Sequence, residues 1–209
     1  MPVKIKVCGI TNLDDAEKSL EFGADLLGFN FYPPSPRCIT PNLAGEIIAR
    51  LPRDAFNVAL LVNETKARVS EVLAAARSRD GQDGYRALQF HGEENGAYCQ
   101  GWDVKVIKAF RINEQAALDA LKGFPADYYL VDSFSSGYGG SGQVFPWEWL
   151  EGIDARKILL SGGLRVDNVA KAIRTVQPFG VDVCSGVESR PGVKDHGKLK
   201  EFIDAAKGA

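Results

Sequence analysis

Residues 4–31, KIKVCGITNLDDAEKSLEFGADLLGFNF, contain the pattern on which the fold prediction depends. A short apolar run, Ile5–Cys8, precedes an amphipathic stretch, and a second apolar run, Asp25–Phe31, follows it. Asn12 is a good N-cap for a helix in this stretch, and Gly23 is a typical residue for its end. Two buried strands joined by a helix form a right-handed βαβ unit, so this segment predicts neighbouring parallel strands.

The same alternation continues along the rest of the chain. Six further apolar runs, rich in Val, Ile, Leu and aromatic residues as buried strands are, bring the total to eight; they are Phe56–Val62, Ala87–His91, Val104–Phe110, Tyr128–Asp132, Lys157–Ser161 and Gly180–Cys184. We expect helices between them. The fourth helix, near Glu93–Gln100, has the weakest pattern. The fifth follows the N-cap Asn113, and the sixth, around Pro146–Leu150, is short. Eight units favour a closed (β/α)8 barrel over a doubly wound open sheet. No linker divides the chain, so residues 1–209 are predicted to form a single catalytic domain.

Composition narrows the class of protein. The 209 residues carry 25 basic and 27 acidic side chains, and the net charge of −2 gives no reason to expect a nucleic-acid partner. No apolar run approaches the roughly 18 residues of a membrane helix, so we expect no membrane partner. Cys8, Cys38, Cys99 and Cys184 form no CxxC pair, which argues against a metal site and favours a reduced, cytoplasmic protein. The sequence leaves open whether the protein is a monomer or a homodimer.

In such a barrel the active site lies at the C-terminal ends of the strands. Glycines cluster in the last three loops there, and their backbone N–H groups can approach an anion closely. A phosphate site is therefore predicted at Gly140, Gly142, Gly162, Gly163, Ser185 and Gly186. The alternative is that these glycines only form tight turns and helix caps.

Two side chains at strand ends suit acid–base chemistry. Cys8 ends the first strand beside a predicted helix N-terminus, which favours a thiolate, although a lone cysteine is also a common buried hydrophobe. Asp132 ends the sixth strand, where it can serve as an acid or merely as a turn residue. A Cys and an Asp facing each other across the barrel mouth are a candidate acid–base pair.

Three further side chains are candidates for substrate binding. Arg37, in a loop with three prolines, can grip a carboxylate in a bidentate manner or lie solvated on the surface. Asp182 can bind sugar hydroxyls or form a salt bridge inside the barrel with Lys4 or Lys6. His91 can polarise substrate or donate to a backbone carbonyl.

The motifs that carry these residues resemble the phosphoribosylanthranilate isomerase family of tryptophan biosynthesis. The resemblance spans nearly the whole chain and rests on residues 4–12, 23–37, 88–93, 131–133, 139–142, 160–164, 180–188 and 191–195. Loop six departs from the family pattern, with Ser141 and Gln143 where threonine and lysine are expected. The resemblance implies a (β/α)8 barrel that uses neither metal nor organic cofactor.

The resemblance also implies a reaction and residue roles. The family converts N-(5-phosphoribosyl)anthranilate, a phosphorylated aminosugar, into 1-(2-carboxyphenylamino)-1-deoxyribulose 5-phosphate by an Amadori rearrangement. Asp132 matches the general acid that protonates the furanose ring oxygen, and Cys8 matches the general base that removes the C2 proton. Arg37 matches the group that binds the anthranilate carboxylate.

Three rival interpretations can be compared with the residues, and the first of them is disfavoured by its strand ends. A histidine-pathway isomerase would use paired aspartates at the ends of strands one and five, where this chain has Cys8 and Phe110–Arg111. A Schiff-base aldolase would need a well-placed lysine, for which Lys108 is the candidate. A non-catalytic phosphometabolite or thiol sensor would use a reversible disulfide between Cys8 and Cys184.

Overall fold

The barrel predicted from the sequence is closed. The computed structural model of the protein describes residues 2–76, 84–133 and 144–209. Eight parallel strands follow one another around the barrel in chain order, and the first pairs with both the second and the eighth. They are β1 (Lys4–Cys8), β2 (Leu26–Asn30), β3 (Phe56–Leu61), β4 (Tyr85–Phe90), β5 (Lys105–Ile112), β6 (Tyr128–Ser133), β7 (Ile158–Leu160) and β8 (Gly180–Val183). The prediction of eight strands is confirmed, and the open sheet is excluded.

Within the described residues, the α-helices are α1 (Leu13–Phe22), α2 (Pro41–Ile48), α3 (Lys66–Ala75), α4 (Val169–Val176) and α5 (His196–Lys207). The predicted caps of α1 are confirmed: the Asn12 side chain accepts from the Asp15 N–H, and Gly23 closes the helix with φ of 103°. Helix α2 was not predicted; it starts at Pro41, and the Thr40 hydroxyl caps it by accepting from the Leu43 N–H. None of the helices described here is long and apolar enough to cross a membrane.

The prediction of a fourth helix near Glu93–Gln100 is wrong. Residues 96–99 form a turn, in which Asn95 accepts from the Tyr98 N–H at 2.9 Å and Cys99 donates to the Asn95 carbonyl at 3.1 Å. The ring of Tyr98 packs edge-on against Phe90, with centroids 5.1 Å apart. Gly96 lowers helix propensity further, so aromatic packing and turn bonds prevail over a weak helical pattern.

The fifth and sixth connections are 3₁₀ helices, Gln115–Leu121 and Trp147–Leu150. The predicted cap Asn113 is wrong, because Glu114 occupies the N-cap position and its side chain makes no capping bond. The buried positions of the fifth, Leu118 and Leu121, have the threefold spacing that a 3₁₀ helix places on one side.

The barrel interior has two layers. Leu26, Val58, Ala87, Ile107, Ala109, Leu130 and Leu159 form an apolar cluster. Buried polar side chains, among them Lys6, Gln89, Ser161 and Asp182, point inward from the C-terminal parts of β1, β4, β7 and β8. Inward-facing residues alternate along each strand, so the apolar layer supports the polar one.

An antiparallel hairpin follows β8 and was not predicted. Its strands are β9 (Glu188–Arg190) and β10 (Val193–Lys194). The hairpin turns back toward the barrel mouth, where the Lys194 N–H donates to Asp15 of α1 at 2.9 Å. This return carries Glu188 and Lys194 to the end of β1.

Candidate active site

One cleft at the C-terminal ends of the strands contains every predicted site residue that the structure describes. Cys8, Arg37, His91, Asp132, Gly162, Gly163, Asp182, Ser185 and Gly186 all line it. Gly140 and Gly142, with Ser141 and Gln143, lie outside the described residues. The roles of these residues stay predictions, but they converge from six strand ends, which places a thiol, a carboxyl group, a guanidinium group and glycine loops around one space.

Cys8 is held as the more acidic of two neighbouring thiols. It is 6% exposed, and a hydrogen bond from Cys184, with the charges of Lys6 and Lys194, lowers the pKa of Cys8 to about 6 although burial and Asp182 oppose this. The same hydrogen bond and burial raise the pKa of Cys184. These side chains therefore favour the Cys8 thiolate.

Arg37 is paired within the protein. Its Nε lies 2.9 Å from Glu188 Oε1, and its Nη2 lies 2.7 Å from Glu188 Oε2. Lys194 Nζ lies 3.2 Å from the same Oε1 and also donates to the carbonyl of Cys8. Burial alone would raise the pKa of Glu188, but Arg37 and Lys194 hold it below its usual range.

This pairing settles how Arg37 can bind an anion. One edge of the guanidinium, Nε with Nη2, is occupied by Glu188. The end-on edge, Nη1 with Nη2, retains N–H donors, and Arg37 lines the cleft with a side chain that is 16% exposed. A carboxylate in the cleft can still be bound in a bidentate manner, through this second edge.

His91 contacts the candidate acid. Its Nε2 lies 3.5 Å from Asp132 Oδ2, and its Nδ1 lies 2.9 Å from the amide nitrogen of Gln89. An amide nitrogen only donates, so Nδ1 accepts and the proton of a neutral imidazole sits on Nε2, toward Asp132. Within the described residues, the His91 ring does not donate to a backbone carbonyl, which was the alternative role.

Asp182 forms the internal salt bridge that the sequence left open. Its Oδ1 lies 2.6 Å from Lys6 Nζ, and its Oδ2 accepts from the Ser161 hydroxyl at 3.1 Å. Lys4, the other candidate partner, instead pairs with Asp25 at 2.7 Å. Asp182 still lines the cleft, so contact with substrate hydroxyls stays a prediction.

The loops after β7 and β8 meet at glycines. Gly162 and Gly163 have φ of 85° and 65°, in the left-handed region that favours glycine. A Cβ atom at Gly186 would lie 2.1 Å from the carbonyl oxygen of Leu164, so the two loops touch without room for a side chain. Ser185 opens a short 3₁₀ turn beside them, Ser185–Val187. The described part of the predicted phosphate site is thus compact and backbone-lined.

Sequence reasoning missed several residues at the site. Gly28 lies within β2, and a Cβ there would come within 2.9 Å of the Cys8 sulfur. An isolated glycine inside a strand indicates a close approach of this kind. Glu188 and Lys194 had no such signal, since their positions depend on the β9–β10 hairpin.

Lys108 lies outside the cleft. Its Nζ donates to the backbone carbonyls of Gly92 and Ala109 at 2.7 and 2.9 Å, and it lies 3.4 Å from Glu94. Burial lowers the pKa of Lys108, yet the amine faces carbonyl oxygens rather than a substrate site. Lys108, the lysine on which the aldolase interpretation depends, therefore does not line the cleft.

Comparison with known proteins agrees with this geometry. Residues 5–205 match the sequence model of the family described as N-(5'-phosphoribosyl)anthranilate (PRA) isomerase. The N-(5'-phosphoribosyl)anthranilate isomerase of Pelobacter propionicus is 43% identical over 207 residues, which are 98% of this chain and 96% of that protein.

Solved structures give the same result. Phosphoribosyl anthranilate isomerase from Thermotoga maritima superposes with a TM-score of 0.89 at 40% identity, over 99% of this chain and 100% of that one. A phosphoribosyl anthranilate isomerase solved in complex with reduced 1-(o-carboxyphenylamino)-1-deoxyribulose 5-phosphate gives a TM-score of 0.84 at 38% identity, with the same coverage. With its closed barrel, its cleft and these full-length matches, the chain belongs to the N-(5'-phosphoribosyl)anthranilate isomerase family.

Proposed function

We propose that this protein converts N-(5-phosphoribosyl)anthranilate into 1-(2-carboxyphenylamino)-1-deoxyribulose 5-phosphate, with Cys8 as general base and Asp132 as general acid. The observation that carries the proposal is that a thiol of lowered pKa and a carboxyl group line one cleft from the ends of β1 and β6. An aldose-to-ketose rearrangement needs one acid and one base, and the substrate nitrogen supplies the electron sink.

The first step opens the furanose ring. Protonated Asp132 donates its proton to the ring oxygen, the C1–O bond breaks, and the nitrogen lone pair forms the C1=N bond of a Schiff base. His91 Nε2, 3.5 Å from Asp132 Oδ2, is close enough to position the carboxyl group. Gln89 maintains this ring orientation by donating to the other ring nitrogen.

The second step moves a proton. The Cys8 thiolate removes the C2 proton, the electrons of that C–H bond form the C1=C2 bond of an enolamine, and the π electrons of the C1=N bond return to the nitrogen. The enolamine then gains a proton at C1 and loses one from the C2 hydroxyl, which gives the ketone. A thiol with a pKa of about 6 is largely ionised at neutral pH, so the Cys8 thiolate is available to accept this proton.

The remaining residues bind the two charged ends of the substrate. Arg37 holds the anthranilate carboxylate through its free edge, and the glycine loops at Gly162, Gly163 and Gly186, with Ser185, bind the phosphate. The functional test is conversion of the substrate by purified protein with and without reductant, together with complementation of a tryptophan auxotroph that lacks this step. Failure of both would refute the proposed reaction.

Arg37→Ala should lower kcat/KM for the carboxylated substrate by roughly 10–150-fold, since a charge-assisted hydrogen bond contributes about 1.5–3 kcal/mol. On an analogue whose ring lacks the carboxylate, variant and parent should be nearly equal. Arg37→Lys should rescue only partly, because an ammonium cannot form two parallel bonds. Arg190→Ala, at an exposed position on β9, is the control. Equal losses on both substrates would assign Arg37 a structural role.

Gly186→Ala should raise KM about tenfold or more through weaker phosphate contacts, because the new methyl group would meet the Leu164 carbonyl and part the two loops. Competitive inhibition by inorganic phosphate should weaken by a similar factor. The matched control is Gly197→Ala in α5, where the nearest atom to the new Cβ is Asp195 Oδ1 at 3.3 Å. Undiminished phosphate inhibition in Gly186→Ala would locate the phosphate site elsewhere.

A further inference from the structure

Lys6 is a fully buried cation inside the barrel. Its side chain is 0% exposed, and its Nζ lies 2.6 Å from Asp182 Oδ1. Replacing a buried ion pair with well-packed apolar residues is often neutral or stabilising. Fold stability alone therefore gives no reason for a charge at this position.

The Lys6 ammonium lies next to the Cys8 sulfur. A Cβ atom at Gly28 would come within 2.9 Å of Cys8 Sγ and 3.1 Å of Lys6 Nζ. This places the two atoms within about 6 Å of each other, in the range of about 4–6 Å over which an opposite charge favours the ionised form of a group. Lys6 and Cys8 are two residues apart on β1, so both side chains face the barrel interior.

We propose that Lys6 is a positioning residue for the proposed isomerase reaction: it is the buried cation that holds the Cys8 sulfur as a thiolate, and Asp182 fixes its ammonium group. The inference deepens the proposed function and rests on it for the role of Cys8. It assigns to the Lys6–Asp182 pair the task of preparing the base before substrate arrives.

Other charged groups surround Cys8 from each neighbouring element. They are Asp182 on β8, Cys184 after β8, Arg37 after β2, Glu188 on β9 and Lys194 on β10. Arg37 and Lys194 both contact Glu188, which offsets part of their charge. Lys6 has one carboxylate partner within the described residues, Asp182, and the Cys8 sulfur is its other anionic neighbour.

The test titrates Cys8 without substrate. Thiolate absorbance, as the difference between each variant and the same variant carrying Cys8→Ala, is followed with pH, and iodoacetamide labelling of the Cys8 peptide is followed in parallel. Lys6→Met should raise the pKa of Cys8 by about one or more, as expected for loss of an opposite charge. Lys4→Met on the same strand, whose parent lysine pairs with Asp25, should leave it unchanged.

Asp182→Asn should shift the titration the other way. Removing the carboxylate frees Lys6 to act on the thiolate alone, so the pKa of Cys8 should fall below the parent value. A purely structural role would loosen the site in both variants and shift both in one direction. Opposite shifts support the proposal, and an unchanged value in Lys6→Met or shifts of the same sign overturn it.

The double variant Lys6→Met/Asp182→Asn removes the buried pair as a unit, which keeps the test decisive if Lys6→Met fails to fold. Its Cys8 pKa should exceed that of Asp182→Asn by about one or more, and equal values would refute the inference.

The proposed function is tested separately by turnover. Shifted titrations with an unchanged acid limb in the pH profile of kcat/KM would refute the role of Cys8 as base, whereas unshifted titrations with an inactive Cys8→Ala would refute only the role of Lys6.

Discussion

Replacement of Cys8 by alanine is expected to lower kcat by at least about 10²–10⁴-fold, the usual contribution of a general base. Substrate affinity should change little, because the phosphate and carboxylate contacts lie on other loops. Steady-state turnover measures kcat, and binding of a non-reacting product analogue measures affinity. A variant that retains more than about a tenth of the parental kcat would exclude Cys8 as the base.

The pH dependence gives this prediction a second readout. The lowered pKa of Cys8 means that the thiolate is present above about pH 6 and is lost as pH falls through that value. The kcat/KM of the parent should therefore decline on the acid side near pH 6, and the decline should move in Cys8→Ser. Cys38→Ala, at an exposed cysteine outside the cleft, is the matched control and should keep the parental profile.

Asp132→Asn should likewise lower kcat by about 10²–10⁴-fold, with KM nearly unchanged. Asparagine preserves the size of the side chain and can still contact His91, but it has no acidic proton for the ring oxygen. Asp119→Asn, at an exposed position of the fifth connection, is the control for a surface aspartate. If Asp132→Asn turns over at the parental rate, ring opening must use another acid.

The parts of the fold that could be predicted are those that depend on local pattern. Asn12 and Gly23 cap a single helix, so neighbouring residues alone reveal their role. Each of the eight apolar runs is recognisable as a buried strand from its own sequence, and their alternation with helices predicts the parallel sheet. The fourth helix failed because its sequence pattern is weak and Tyr98 gains more by packing on Phe90. The N-cap predicted at Asn113 failed because the 3₁₀ helix begins at Gln115, which makes Glu114 its N-cap residue.

The site was predictable to the extent that strand ends define it. Cys8, His91 and Asp132 could be placed because parallel strands end at the same rim of a barrel. The partners of these residues could not, since they depend on long-range contacts. The ion pair of Arg37 joins it to Glu188 across 151 positions of sequence, and Lys194 reaches Cys8 across 186.

The most direct test of the account is conversion of N-(5-phosphoribosyl)anthranilate by the purified protein, with the product identified by NMR as the 1-amino-1-deoxy ketose phosphate. If Cys8 and Asp132 are the base and the acid, the parent forms this ketose, and the double variant Cys8→Ala/Asp132→Asn, at equal concentration and with confirmed folding, does not form it above the uncatalysed rate. Absence of the ketose from the parent reaction, or its formation by the double variant at the parental rate, would contradict the account.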